Sequence, residues 1–178
     1  MKKELKSIKK LTVGDTFELI GTSWKILDVT ELGYICLADC IEDECSFDSS
    51  CNDWKESDLR KKLNTEVYNR IAAEIGLENI IEFERDLLSM DGQTEYGTCK
   101  DKVSLLTVDE YRKYRSLTPN TDEYWWWTIT PDSTKCNGDC RWVIVVSPSG
   151  CIDINYHVSN VGVRPFCILK SNIFESEE

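Results

Sequence analysis

A single histidine, His157, stands among nine cysteines and 32 acidic residues, and that ratio limits the chemistry open to the chain. A zinc site with two histidines is impossible, and any Cys/His or Ser/His pair has to use His157. Cys151 lies six residues away, roughly 20 Å along an extended strand and far beyond hydrogen-bond reach. Ile152, Ile154 and Tyr156 alternate with Cys151, Asp153 and Asn155, which places His157 on the polar face as a surface or ligand-contacting residue. The expectation is a protein without catalytic residues.

The cysteines fall into Cys36-x3-Cys40-x4-Cys45-x5-Cys51 and Cys136-x3-Cys140. Four thiolates can hold zinc tetrahedrally, but neither cluster has the usual C-x2-C knuckle. The odd count and a first segment too charged for a secretory signal argue against a disulfide framework. Most of the nine therefore read as small buried apolar residues, with no metal and no cofactor expected.

Carboxylates concentrate over residues 39–58, where Asp39, Glu42, Asp43, Glu44, Asp48, Asp53, Glu56 and Asp58 face only Lys55. Oxygen ligands of this kind suit calcium, yet no EF-hand spacing is present. The segment reads as an acidic surface loop, either simply solvated or a docking surface for a basic partner through Glu42, Asp43, Glu44, Asp48 and Asp53. The formal charge of −11 disfavours direct contact with a nucleic-acid backbone, which needs clustered Lys and Arg. A second candidate is aromatic. Consecutive strand residues point to opposite faces, so Trp125, Trp126 and Trp127 cannot share one core. Trp125 or Trp127 beside Trp142, Tyr156, His157 and Arg164 would line a ligand pocket. Arg164 itself reads as one half of a structural ion pair.

The elements that must position these residues follow from periodicity. Residues 15–20, 24–29 and 34–38 are strand-like runs separated by turn residues, an antiparallel meander. Ser57 caps a helix in which Leu59, Leu63, Val67 and Ile71 form one apolar stripe, ended by Gly76. Asn64 and Thr65 favour caps over interiors and are expected to break that helix in two. Residues 103–106 read as a buried strand, followed by the capping box Thr107-x-x-Glu110 and a short helix. Residues 124–129, 141–147, 151–155 and 161–169 give a second antiparallel sheet, with a turn at Ser147-Pro148-Ser149-Gly150.

Three of these stretches carry a resemblance. Trp54, Ser57, Leu59, Arg60, Leu63 and Asn64 match a helical W..S.LR..LN signature, residues 102–111 an FLLS..E element, and Gly162-Val163-Arg164-Pro165 a closing GVRP strand. The chain resembles a "GVRP" domain family of unknown function from gut bacteria and their phages. That resemblance implies a C-type-lectin-like fold shared with formylglycine-generating enzymes. The cysteine pair of those enzymes has no counterpart in sequence context here, nor do the calcium motifs of sugar-binding lectins.

At 178 residues, 41% of them apolar, one domain is expected over residues 13–170, with a basic segment over 1–12 and an acidic tail over 171–178, frayed after Lys170. No apolar run approaches the ~20 residues of a membrane helix. Together these readings give an α+β, C-type-lectin-like domain: an N-terminal β-meander, one or two helices and a C-terminal twisted antiparallel sheet. It is expected to be a non-catalytic protein-binding module of the cytoplasm. Its partner would be a basic nucleic-acid-binding host protein, as for a phage inhibitor of the anti-CRISPR kind, with a lectin-like ligand or receptor binder as the alternative.

Overall fold

The computed structural model describes residues 10–174, and of Asp43 the backbone alone. Of the expected basic segment over 1–12 and acidic tail over 171–178, residues 1–9 and 175–178 lie outside the described residues. The packed unit runs slightly past residues 13–170, because Leu11, Ile173 and Phe174 rest against the core. Ser171–Phe174 forms a 3-10 turn that sets Phe174 edge-on to Phe17 at 4.7 Å, in place of the expected frayed end.

Thr16–Leu19 (β1), Thr22–Val29 (β2) and Tyr34–Ala38 (β3) form the antiparallel meander. Ile20 and Gly21 turn β1 into β2 with φ of 52° and 73°. A β-branched residue rarely adopts that conformation, and helical side chains hold it here. Glu74 accepts the Ile20 N–H at 3.1 Å, and Arg70 donates to the Ile20 carbonyl at 3.0 Å.

Glu42–Cys45 (β4) leads through a 3-10 turn at Trp54–Glu56 into helix α1 (Asp58–Lys62), a π turn (Leu63–Val67) and helix α2 (Tyr68–Ile75). The chain does not break at Asn64 and Thr65 as expected; it widens. In an α-helix each fourth residue advances about 40° around the axis, so Leu59, Leu63, Val67 and Ile71 would drift off one face. A π turn has more residues per turn and brings the stripe back, and all four side chains are buried. Gly76 ends the helix as expected, at φ 84°.

Ile80–Ile81 (β5), the hairpin of Phe83–Asp86 (β6) and Thr98–Asp101 (β7), and Val103–Ser104 (β8) then lead to helix α3 (Val108–Lys113). Thr107 and Glu110 form the expected capping box. Glu110 also takes both ends of the buried Arg85 guanidinium, at 2.7 and 2.6 Å, between the rings of Phe83 and Phe166.

Trp126–Pro131 (β9), Trp142–Val146 (β10), Ile152–Tyr156 (β11), Val161–Val163 (β12) and Phe166–Leu169 (β13) complete an α+β fold of mostly antiparallel strands. Residues 161–169, expected as one strand, are two, because Pro165 removes a ladder donor. β12 joins a five-stranded sheet of order β11-β10-β9-β12-β4. β13 crosses into the meander sheet, between β3 and the short β5 and β8. The second sheet is not purely antiparallel, since β12 runs parallel to β9. β9 is buried on both faces: Trp127 enters the larger core with Phe47, and Trp126 enters a second core with Tyr111 and Phe166.

Gly162 lies where β12 meets β9, and a Cβ there would stand 2.7 Å from the Trp125 carbonyl oxygen and 2.8 Å from the Tyr124 ring. Backbone cannot yield cheaply at that distance. Gly162→Ala is expected to destabilise the domain by about 1–3 kcal/mol; an unchanged urea midpoint would show that β12 shifts freely.

Candidate functional site

The acidic segment is only in part the loop expected of it. Residues 42–45 are β4, paired with β12 at the edge of the five-stranded sheet. Glu42 is bound by the Lys62 ammonium, while Glu44 is exposed. Of the Asp43 side chain nothing is described. Asp53 caps the 3-10 turn by accepting the Lys55 N–H at 3.0 Å, and burial pushes its carboxyl up.

Asp48 is corrected outright, since it is buried rather than offered to a partner. Its carboxylate accepts from the Ser50 N–H at 2.8 Å, the Ser50 hydroxyl at 2.9 Å, and the Cys51 and Asp58 N–H groups at 3.0 Å each. It ties the loop after β4 to the start of α1. Burial by itself raises this carboxyl, but the hydrogen bonds from Ser50, Asp58 and Cys51 outweigh it and leave the group below its ordinary value. A carboxyl lowered in the fold adds stability above its unfolded pKa, and that stability is lost as pH falls through the folded value. Asp48→Asn is therefore expected to be less stable than the parent at pH 7, with the gap closing as the pH falls below about 4. Denaturation midpoints from pH 7 to pH 3 measure this; a constant gap would mean that the charge of Asp48 is irrelevant.

His157 is likewise corrected. β11 ends at Tyr156, the turn that follows breaks the alternation, and the ring is only 3% exposed. Its Nδ1 lies 2.8 Å from the Asp48 carbonyl oxygen, so that nitrogen donates, and the ring packs edge-on to Tyr156 at 4.7 Å. The imidazole is a clamp between β11 and the loop after β4, not a surface group.

The aromatic pocket does not assemble either. Trp127 is fully buried, donating Nε1–H to the Cys45 carbonyl at 2.7 Å and meeting Phe47 edge-on. Trp142 on β10 and Tyr156 on β11 stand together at 5.7 Å, and Trp125 is 39% exposed. Of the thiols only Cys36, Cys51 and Cys167 are buried, against an expectation of burial for most, and Cys136 and Cys151 are exposed. Among the described residues no three His, Cys, Asp or Glu side chains are grouped as metal ligands, and no helix is long and apolar enough to cross a membrane.

What the structure adds is an apolar edge. Ile152, Ile154 and Tyr156, one alternating set in the sequence, are 38%, 42% and 39% exposed on β11, which among the described residues pairs only with β10. Val158 follows at 43%. The alternation marked them correctly as one face. It could not show that this face lies at the rim, with nothing beyond it to complete the cover.

The sequence elements that carry the resemblance are engaged in the fold. Trp54 and Arg60 both donate to Asp101, Ser57 caps α1, and Asn64 holds residues 102 and 103. The profile of the DUF6273 domain of unknown function matches residues 35–171. The chain belongs to this family. No curated protein and no solved structure matches it. The DUF6273 span thus includes the α1 docking residues, the β11 edge and Arg164, whereas β1 and β2 lie before it.

Proposed function

We propose that this DUF6273 domain is a non-catalytic protein-binding module. The observation that carries the reading is the β11 edge: large apolar side chains on a strand at the rim of a sheet are what a protein partner covers, by adding a strand in exchange for the local bonds that the Ile154 and Tyr156 N–H groups make to Asp153 and Asn155. A net charge of −11 favours a basic partner and accelerates its approach, with Glu42, Asp43, Glu44 and Asp53 contributing to the field. In this reading the fold is C-type-lectin-like, and the protein acts in the cytoplasm as a phage- or mobile-element-encoded inhibitor. It occupies a basic nucleic-acid-binding site of a host defence protein, in the manner of an anti-CRISPR. The partly exposed Trp142 and Tyr156 pair supports a second reading, a lectin-like surface that stacks against a ligand.

A photo-reactive residue placed at 154 should cross-link one basic protein in host cells, and the same probe at Leu77, 62% exposed in the turn after α2, should not. Ile154→Asp should abolish that binding, and raising salt should weaken it by slowing association. Equal capture at both positions would sink the reading, and salt-independent affinity would remove its electrostatic part.

A further inference from the structure

Arg164 is expected from sequence to form an ion pair, and it does not. It is 7% exposed, yet among the described residues no carboxylate stands within salt-bridge distance of it. Its Nε donates to the Ala38 carbonyl at 3.1 Å, its guanidinium lies over the Trp126 ring at 5.1 Å, and its Nη1 is buried without a partner. A buried guanidinium left in this state is costly, and stacking on an indole offsets part of that cost. An anion offered from outside would complete it.

The surroundings provide the place. Arg164 lines a cavity of about 480 Å3 between the meander sheet and residues 119–124, which Lys25, Asp39, Asn120 and Glu123 also line. Two cations and two carboxylates around one cavity do not suit a dianion such as phosphate. They suit a small molecule bearing both charges. Asp39 Oδ1 is held by the Tyr124 hydroxyl at 2.7 Å and the Cys40 N–H at 2.8 Å, so its carboxylate is fixed in position for a cationic group.

We propose that this cavity binds a small zwitterion of the free amino acid class, its carboxylate on Arg164 and Lys25 and its ammonium on Asp39 and Glu123. The site lies apart from the β11 edge and does not depend on protein binding there.

The test is thermal denaturation and calorimetry of the full chain with each of the twenty L-amino acids, with acetate and with inorganic phosphate at matched ionic strength. At least one amino acid is expected to raise Tm and to bind at least about tenfold more tightly than acetate or phosphate, since only it engages both charge pairs. Lys25→Ala and Asp39→Asn, on the cavity wall, should each weaken that amino acid about tenfold, and Asp39→Asn should leave acetate unchanged. Arg164→Met should abolish binding; should it fail to fold, the Lys25 and Asp39 variants decide alone. Stabilisation by no amino acid, tighter binding of phosphate than of any amino acid, or wild-type affinity in Lys25→Ala and Asp39→Asn would each overturn the assignment.

Discussion

Replacing Asp101 by alanine is expected to cost the domain about 3–5 kcal/mol, the range for removing one partner of a buried charge pair. Asp101 is 1% exposed and sits at the end of β7, where Trp54 Nε1–H reaches one oxygen at 2.8 Å and Arg60 Nε the other at 2.6 Å. Arg60 further donates to the Lys55 carbonyl at 2.9 Å, so one carboxylate joins the 3-10 turn, α1 and the β6–β7 hairpin. Without it a buried indole N–H loses its acceptor and the Arg60 guanidinium its counter-charge. Urea denaturation at pH 7 measures the loss, with Asp58→Ala as control. Asp58 is an exposed acid in the same helix whose ion pair with Lys61 spans 3.7 Å at the surface, and its removal should change stability by less than about 0.5 kcal/mol. Equal losses in the two variants would show that helix charge, not the buried acceptor, is at work.

Leu63→Ala is expected to cost about 2–5 kcal/mol, the range for truncating a fully buried leucine. Leu63 is 1% exposed and opens the π turn in the middle of the stripe. One neighbour sets how far the cavity can collapse. Asn64 is pinned to β8, accepting from the Lys102 and Val103 N–H groups at 3.0 and 3.1 Å and donating to the Val103 carbonyl at 2.7 Å. The helix therefore cannot slide inward to fill the space, which places the loss at the upper part of the range. A change below about 0.5 kcal/mol would mean that the stripe is not core. Restoration of an ideal α turn in the variant, seen by amide hydrogen exchange at residues 63–67, would show that Leu63 packing is what holds the π turn.

Local signals in the sequence were sufficient wherever a residue's partner is close in the chain. Ser57, Gly76, the Thr107 and Glu110 box and the turn at Ser147 to Gly150 depend on backbone groups three or four residues away, and each stands as its spacing requires. The apolar stripe of the helix and the meander belong to the same class, because periods of about 3.6 and 2 fix which face is buried whatever lies against it. Composition set the net charge. It left open where that charge is presented, and part of the acidic segment is used within the fold: Asp48 is buried and satisfies four donors, Asp53 caps a turn and Glu42 holds Lys62.

The tertiary structure decided everything that depends on partners distant in sequence. Asp101 meets Trp54 across 47 residues, His157 meets Asp48 across 109, and Arg164 meets Ala38 across 126. No local pattern encodes such pairs. The alternation in β11 named a face but not its cover, and only the sheet order placed Ile152, Ile154 and Tyr156 at the rim. The same limit applied to Arg164, for which burial and ion pairing looked inseparable from sequence. A charge is normally buried only with a counter-charge in contact, and here the Ala38 carbonyl and the Trp126 ring meet the guanidinium while Asp39 acts on it only through space.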